Sequence, residues 1–170
     1  MKAELDAVCE ERETVAGGGD FPSRQEANLS ATTGAHDLER FVDAQEGVYE
    51  RVLRELHAGR KESHWMWFIF PQIAGLGHSP TSVFYAIASL DEARAYLAHP
   101  LLGSRLTECV SAVLAMEGSS ARRIFGAIDE MKLRSSLTLF ARAAPDKPLF
   151  AECLQKFFGG EPDPATLERL

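Results

Sequence analysis

The chain has 170 residues, 45% of them hydrophobic, which is enough for one ordinary domain with its own core. Its 18 basic and 25 acidic residues leave a net charge of -7; without a sharply segregated basic patch such a surface repels a phosphate backbone, so general nucleic-acid binding is excluded. Cys9, Cys109 and Cys153 are too few and too scattered for a disulfide framework and form no C-x-x-C pair, so reduced thiols in a cytoplasmic protein are expected.

Met1 to Glu4 open the chain without an apolar stretch that would suggest a signal or an anchor. The segment from Met1 to about His36 is polar and acidic, holds Gly17-Gly18-Gly19, and has Phe21 as its aromatic residue. It cannot bury enough apolar area to offset the entropy of ordering, so residues 1–36 are predicted to be a disordered tail, the alternative being an arm that folds on a partner.

From residue 37 a multihelical domain is predicted to run to residue 170. Leu38, Phe41, Gln45, Val48, Val52 and Leu56 recur at helical spacing, with Asp37 placed to cap the start and Gly59 to end it. The block Ser63 to Gln72 is apolar on nearly every side, and a short buried helix capped by Ser63 and broken at Pro71 fits it, although a buried strand has the same pattern. The longest nearly uncharged apolar stretch, Trp65 to Ala74, is interrupted by Pro71 and is far short of the roughly 20 residues of a membrane span.

Gly75 to Pro80 is a loop, and Ser82 to Ile87 a helical turn. Ser89 and Glu92 have the spacing of a capping box for a helix from Leu90 to Ala98, which His99-Pro100 ends, the imidazole suiting the negative end of the helix dipole. A long helix follows from Leu102 to near Gly118, then a turn from Ser120 to Gly126, then a helix capped by Asp129. Pro148 starts the last long helix, Gly159-Gly160 end it, and Asp163 caps a final turn. The predicted fold is all-α: a compact multihelical single domain behind a disordered tail.

The run His64-Trp65-Met66-Trp67-Phe68-Ile69-Phe70-Pro71-Gln72, then Gly75-Leu76-Gly77-His78-Ser79, Tyr85-Ala86-Ile87 and Glu92-Ala93, closely resembles an uncharacterised bacterial family, domain of unknown function 1810, sometimes labelled calpastatin. The match continues through Tyr96-Leu97, His99-Pro100, Arg105-Leu106, Phe125-Gly126, Asp129, Lys132 and Thr138-Leu139-Phe140, and covers roughly residues 38 to 160. The resemblance implies a mainly helical fold and no established activity, and these residues give the calpastatin label no support. A more distant similarity, carried by Asp129 to Lys132, Leu139-Phe140, Pro148 to Phe150, Leu154 and Thr166 to Glu168, is to the NADAR family of N-glycosidase and ADP-ribose-processing proteins. Where that family has Ser-Glu-His-Tyr, this chain has Ser82-Val83-Phe84-Tyr85, and it ends before that family's glycine-rich tail.

Candidate site residues come from three places. Trp65 or Trp67 could stack on a planar base, with His64, Gln72 and Tyr85 lining the same cleft; the alternative is that the aromatic residues form the centre of the core. In the loop, Gly75 and Gly77 could bring backbone amides to a phosphate, with His78 and Ser79 beside them; a plain turn is the alternative. Asp129 and Lys132 stand one helical turn apart, as a cap and an ion pair or, because the resembling family carries the same two types with Thr138 nearby, as ligand contacts.

His64, His78 and His99 lack metal-ligand spacing and have no accompanying carboxylate cluster, so no metal is expected, and with neither a P-loop nor a dinucleotide fingerprint no cofactor is expected either. Two functions stay open. In the first, the domain binds a nucleotide-like or ADP-ribosyl small molecule and hydrolyses an N-glycosidic or ADP-ribosyl bond, His64 or Asp129 serving as acid or base. In the second it is a non-catalytic protein-interaction module, with an exposed apolar patch in place of a cleft.

Overall fold

A computed structural model describes residues 36–170. The predicted tail up to residue 35, and Cys9 within it, lie outside the described residues. Periodicity from Leu38 to Leu56 predicts one helix, but the chain forms two, α1 (Glu39–Gln45) and α2 (Tyr49–His57). Glu46 turns extended and Gly47 takes φ +68°, a left-handed angle that costs glycine little. Asp37 does not cap: Leu38 holds that position without a side-chain bond, and the Asp37 carbonyl accepts from the Arg40 guanidinium. Arg40 also donates to the carbonyls of Phe84 (3.0 Å) and Ala86 (2.9 Å) and pairs with Glu92 at 2.7 Å.

α3 (Met66–Ile69) has Trp65 at its cap position with no side-chain bond, because the predicted cap, Ser63, gives its amide and hydroxyl to Glu55. α4 (Pro80–Phe84) starts two residues earlier than predicted, with Ser79 Oγ accepting from the Ser82 amide at 3.2 Å and Pro80 in the first turn. Between α3 and α4 the chain turns back, and Ile73 and Ile87 form an isolated parallel bridge, closed by Ile87 N to Gln72 O and Ala74 N to Ile87 O, both 2.8 Å.

α5 (Leu90–Ala98) carries only half of the predicted capping box. Ser89 Oγ accepts from the Glu92 amide, but the Glu92 carboxylate, held by Arg40, accepts from Ala88 one residue upstream of Ser89. His99 ends this helix as its C-cap, its amide donating to the Ala95 and Tyr96 carbonyls, and also serves the next one. Its extended backbone presents Nδ1 to the amides of Leu101 and Leu102, at 3.3 Å each, two donors that the start of α6 (Leu102–Ala115) would leave unpaired.

Beyond Ser120, whose Oγ accepts from the Arg123 amide, runs α7 (Ala121–Ala143). It is broken at Gly126, where φ +80° and ψ 170° are open to glycine alone. Asp129 lies inside the resumed helix and caps nothing. α8 (Pro148–Phe158) ends at left-handed Gly159, and α9 (Pro164–Leu167) is capped by Asp163, whose carboxylate also accepts from Ser135 of α7 at 2.9 Å.

The described domain is all-α. α7 is its central element, packed by α5, α8 and α9, while α6 packs on α2, α3, α5 and α8. Trp65, Phe70 and Phe125 form a triangle with ring centroids 6.1 to 6.3 Å apart, and Phe140 lies between Tyr96 (5.5 Å) and Phe150 (5.7 Å). Apart from Phe125, nearly buried, these rings are essentially free of solvent; burying each phenylalanine contributes about 1.5–3 kcal/mol. Trp65, Met66, Ile69 and Phe70 of the Trp- and Phe-dense block are therefore part of the core, while its Trp67 and Phe68 are half-buried. Cys109 and Cys153 are buried as well, and burial pushes both thiols up to about 12, which leaves them neutral and inert at ordinary pH. Among the described residues no helix is long and apolar enough to cross a membrane.

Candidate functional site

The site is assembled from Glu55 outward. After α2, Gly59 at φ +68° reverses the chain, and the Glu55 carboxylate of α2 collects the returning loop. It accepts from the amides of Glu62 (2.8 Å) and Ser63 (3.0 Å), from Trp65 Nε1 (2.8 Å) and from the Ser63 hydroxyl. Burial acts to raise this carboxyl, but the four donors outweigh it and lower the pKa from the ordinary 4.5 to about 2. The loop is fixed on its other side by the Lys61 amide, which donates to the Ile124 carbonyl at 2.8 Å.

So held, Lys61 reaches Asp129 of α7, with Nζ 2.7 Å from Oδ2 and 5.2 Å from the Trp65 ring centroid. Lys132, one turn along α7, takes the other oxygen at 3.0 Å and lies 4.4 Å over the Trp67 ring. The three charged side chains are only 10%, 16% and 17% exposed for Lys61, Asp129 and Lys132. The two ammonium groups share one carboxylate against aromatic rings, and the Glu55 carboxylate, bonded only by neutral donors, adds a negative charge beneath them.

The sequence candidates fall into two neighbourhoods. His64, Trp65, Trp67, Asp129 and Lys132 belong to this corner: His64 is exposed, Trp67 half-buried, and Trp65 fully buried with its N–H spent on Glu55, so Trp67 is the indole that retains a surface.

Gln72, Gly75, Gly77, His78, Ser79 and Tyr85 belong to the α3–α4 loop and its surroundings, where polar groups serve the chain itself. Gln72 offers its carbonyl to the isolated bridge. At Gly75 (φ +89°) the Arg169 side chain is so near that a Cβ would lie 3.1 Å from Nε, and at Gly77 a Cβ would lie 2.5 Å from Ser82 Cβ and Oγ. Ser79 is a helix cap and His78 is exposed. Tyr85 is wedged among Phe41 (5.9 Å), Phe68 (5.5 Å) and Phe84 (4.9 Å), its phenol pKa raised by burial and by Asp43. The glycines here admit close packing of the chain on itself.

No local pattern singles out Lys61, because its partner Asp129 is 68 positions away. The buried polar cluster at Gln45 is internally matched, whereas Ser136 Oγ on α7 is buried without a hydrogen-bond partner. Gln45 donates to the Phe68 carbonyl (2.8 Å) and to Tyr96 (3.1 Å), and accepts from Arg105 (3.3 Å). No group of three or more potential metal ligands occurs among the described residues. A shallow open depression of about 420 Å³ lies between Leu90, Arg142, Leu167 and Leu170, and none of the candidate residues lines it.

Helices without a sheet, gathered on an aromatic core and carrying a lysine-rich corner, define an all-α multihelical domain. The family model described as protein of unknown function, DUF1810, matches residues 35–170, and the chain belongs to that family. In structure and sequence it is similar to the conserved hypothetical protein Rv1873 from Mycobacterium tuberculosis, at 54% identity over 79% of this chain and 96% of that one, with a TM-score of 0.78. No curated protein matches the chain.

Proposed function

We propose that the domain binds a nucleotide-like or ADP-ribosyl small molecule at the Lys61–Asp129–Lys132 corner. The observation that carries this reading is the pair of lysines held on one carboxylate beside Trp67, the indole that keeps a surface: two ammonium groups and an aromatic ring suit a ligand that is both anionic and planar. Both Asp129 oxygens are engaged by lysines, so its part is to hold them, and His64, exposed beside Trp65, is the group free to move a proton if an N-glycosidic or ADP-ribosyl bond is cleaved. A thermal-shift panel of ADP-ribose, NAD and free nucleotides tests binding. Ligand at ten times its Kd stabilises the fold by about 1.4 kcal/mol, and a Lys132→Gln variant should lose most of that gain; an unmoved midpoint at millimolar ligand rejects the reading.

A second reading, a non-catalytic protein-interaction module, is favoured by Val83 and Phe84, adjacent on α4 and 62% and 57% exposed. Size exclusion with light scattering, and pulldown with the full chain and with a V83S/F84S variant, test it. Identical behaviour of the two proteins rejects that reading.

A further inference from the structure

We infer that the surface around Phe84 docks a segment of another protein that is basic and carries apolar side chains, an inference that rests on the interaction-module reading above and names the partner's chemistry. Val83 and Phe84, 62% and 57% exposed on α4, do not stand alone. The Phe84 ring meets Tyr85 edge-on at 4.9 Å, Tyr85 meets Phe68 at 5.5 Å, and both of those rings are half-buried, so three contiguous aromatic rings keep part of their surface in solvent. The surface is also set in place. Arg40 of α1 donates to the carbonyls of Phe84 (3.0 Å) and Ala86 (2.9 Å), which fixes the end of α4, so a partner meets a face that needs no reordering.

The rim of this surface is acidic. The Phe41 ring of α1 lies 5.9 Å from that of Tyr85, and Asp43, two residues on, is near enough that its charge adds to burial in raising the Tyr85 phenol. Glu39 stands one turn before Asp43 on the same face of α1. Both carboxylates are exposed, as are Asp37 and Glu46 at the two ends of the helix, and none of the four has an ion-pair partner among the described residues. The cation that reaches this surface, Arg40, is paired with Glu92 at 2.7 Å and its side chain is only 11% exposed, so it offsets none of them. Lys132, over the neighbouring Trp67, is likewise taken up by Asp129.

Aromatic rings beside unpaired carboxylates suit a lysine or arginine, whose cation is drawn to both, while an adjacent apolar side chain covers Val83 and Phe84. A second copy of this chain, at net charge -7, lacks the complementary charge. So do the chain's own first 35 residues, where acidic residues outnumber the three basic ones, Lys2, Arg12 and Arg24.

Fluorescence anisotropy of the full chain with three labelled synthetic peptides of equal length, one of arginine and leucine, one of glutamate and leucine and one of arginine and serine, tests this, repeated on V83S/F84S and E39Q/D43N variants. The arginine-leucine peptide should bind the parent about tenfold or more tightly than the other two do, and should lose about tenfold on V83S/F84S and about threefold on E39Q/D43N. Because the four substituted side chains are exposed, the melting midpoints of both variants should match that of the parent. If the glutamate-leucine peptide binds as tightly and V83S/F84S loses both, the basic partner is overturned while the interaction module stands. A dimer in light scattering that V83S/F84S dissolves makes a second copy the occupant and likewise overturns the basic partner. Parent and V83S/F84S indistinguishable with every peptide and in pulldown removes both.

Discussion

The lysine corner around Asp129 and the loop from Gln72 to Tyr85 look alike in sequence, each mixing aromatic residues with polar ones that could meet a ligand. In three dimensions they differ in what is left over. The loop spends its groups on itself: Ser79 on the first turn of α4, Gly77 on the approach of Ser82, the Gln72 carbonyl on an isolated bridge. The corner holds two lysines on one aspartate, with one Glu130 oxygen buried beside it and unpartnered. Residue type therefore discriminates poorly between packing and recognition, and unspent charge or hydrogen-bonding capacity discriminates better.

The largest expected effect that sharpens this contrast lies beneath the corner. Glu55→Ala strands the Trp65 N–H and two loop amides, and the loss should be about 3 kcal/mol or more in urea unfolding, since each buried unsatisfied donor costs about 1–3 kcal/mol. The same carboxylate sets a pH dependence. Its folded pKa of about 2 lies below the ordinary 4.5, so its contribution is complete above 4.5 and drains away as pH falls toward 2. Unfolding free energy should fall across that window in the parent and fall less steeply in Glu55→Gln; equal slopes would show that Glu55 is not the group responsible.

Glycine substitutions come next and probe each region by itself. Gly77→Ala places a methyl group 2.5 Å from Ser82 Cβ and Oγ, an overpacking cost of about 1–3 kcal/mol. Gly126→Ala forces alanine into φ +80°, ψ 170°, also at about 1–3 kcal/mol. Chemical denaturation measures both, and a neutral result at Gly77 would mean that the loop yields more easily than its packing implies.

Asp129→Asn should separate stability from binding. Removing the shared carboxylate leaves two largely buried ammonium groups facing each other, and the cost should exceed the about 1 kcal/mol of an exposed pair. The same change removes a negative charge beside both lysines, so ADP-ribose should bind several-fold more tightly by titration; weaker binding would identify Asp129 as a ligand contact in its own right. The smallest effect belongs to the loop: Ser79→Ala should cost about 1 kcal/mol or less by loss of a helix cap and leave ADP-ribose affinity unchanged.

Much of the architecture was legible because helices announce themselves locally. Ser89, Pro148, Gly159 and Asp163 mark ends that the structure keeps. The break between α1 and α2 was hidden because Gly47 lies between two segments whose apolar residues stay in phase. Asp129 had the spacing of a cap, yet Gly126 had already restarted the helix. Pairings across the chain were hidden for another reason: Lys61 with Asp129, Arg40 with Glu92 and Glu55 with Trp65 depend on tertiary approach, which no local pattern encodes. The rotation of α3 likewise decides that Trp65 is enclosed while Trp67, two residues on, keeps a surface.

Gly103, near the start of α6, has a mechanical consequence. A Cβ there would lie 2.0 Å from the Leu97 carbonyl oxygen of α5, so the two helix backbones touch with no side chain between them to act as a bearing. Sliding of α5 on α6 has no compliant layer to deform and must stop at van der Waals contact. Bending of the domain meets less resistance at the backbone breaks at Gly47 and Gly126, where open space surrounds the glycine, and the second of these lies three residues from the aspartate that both lysines share.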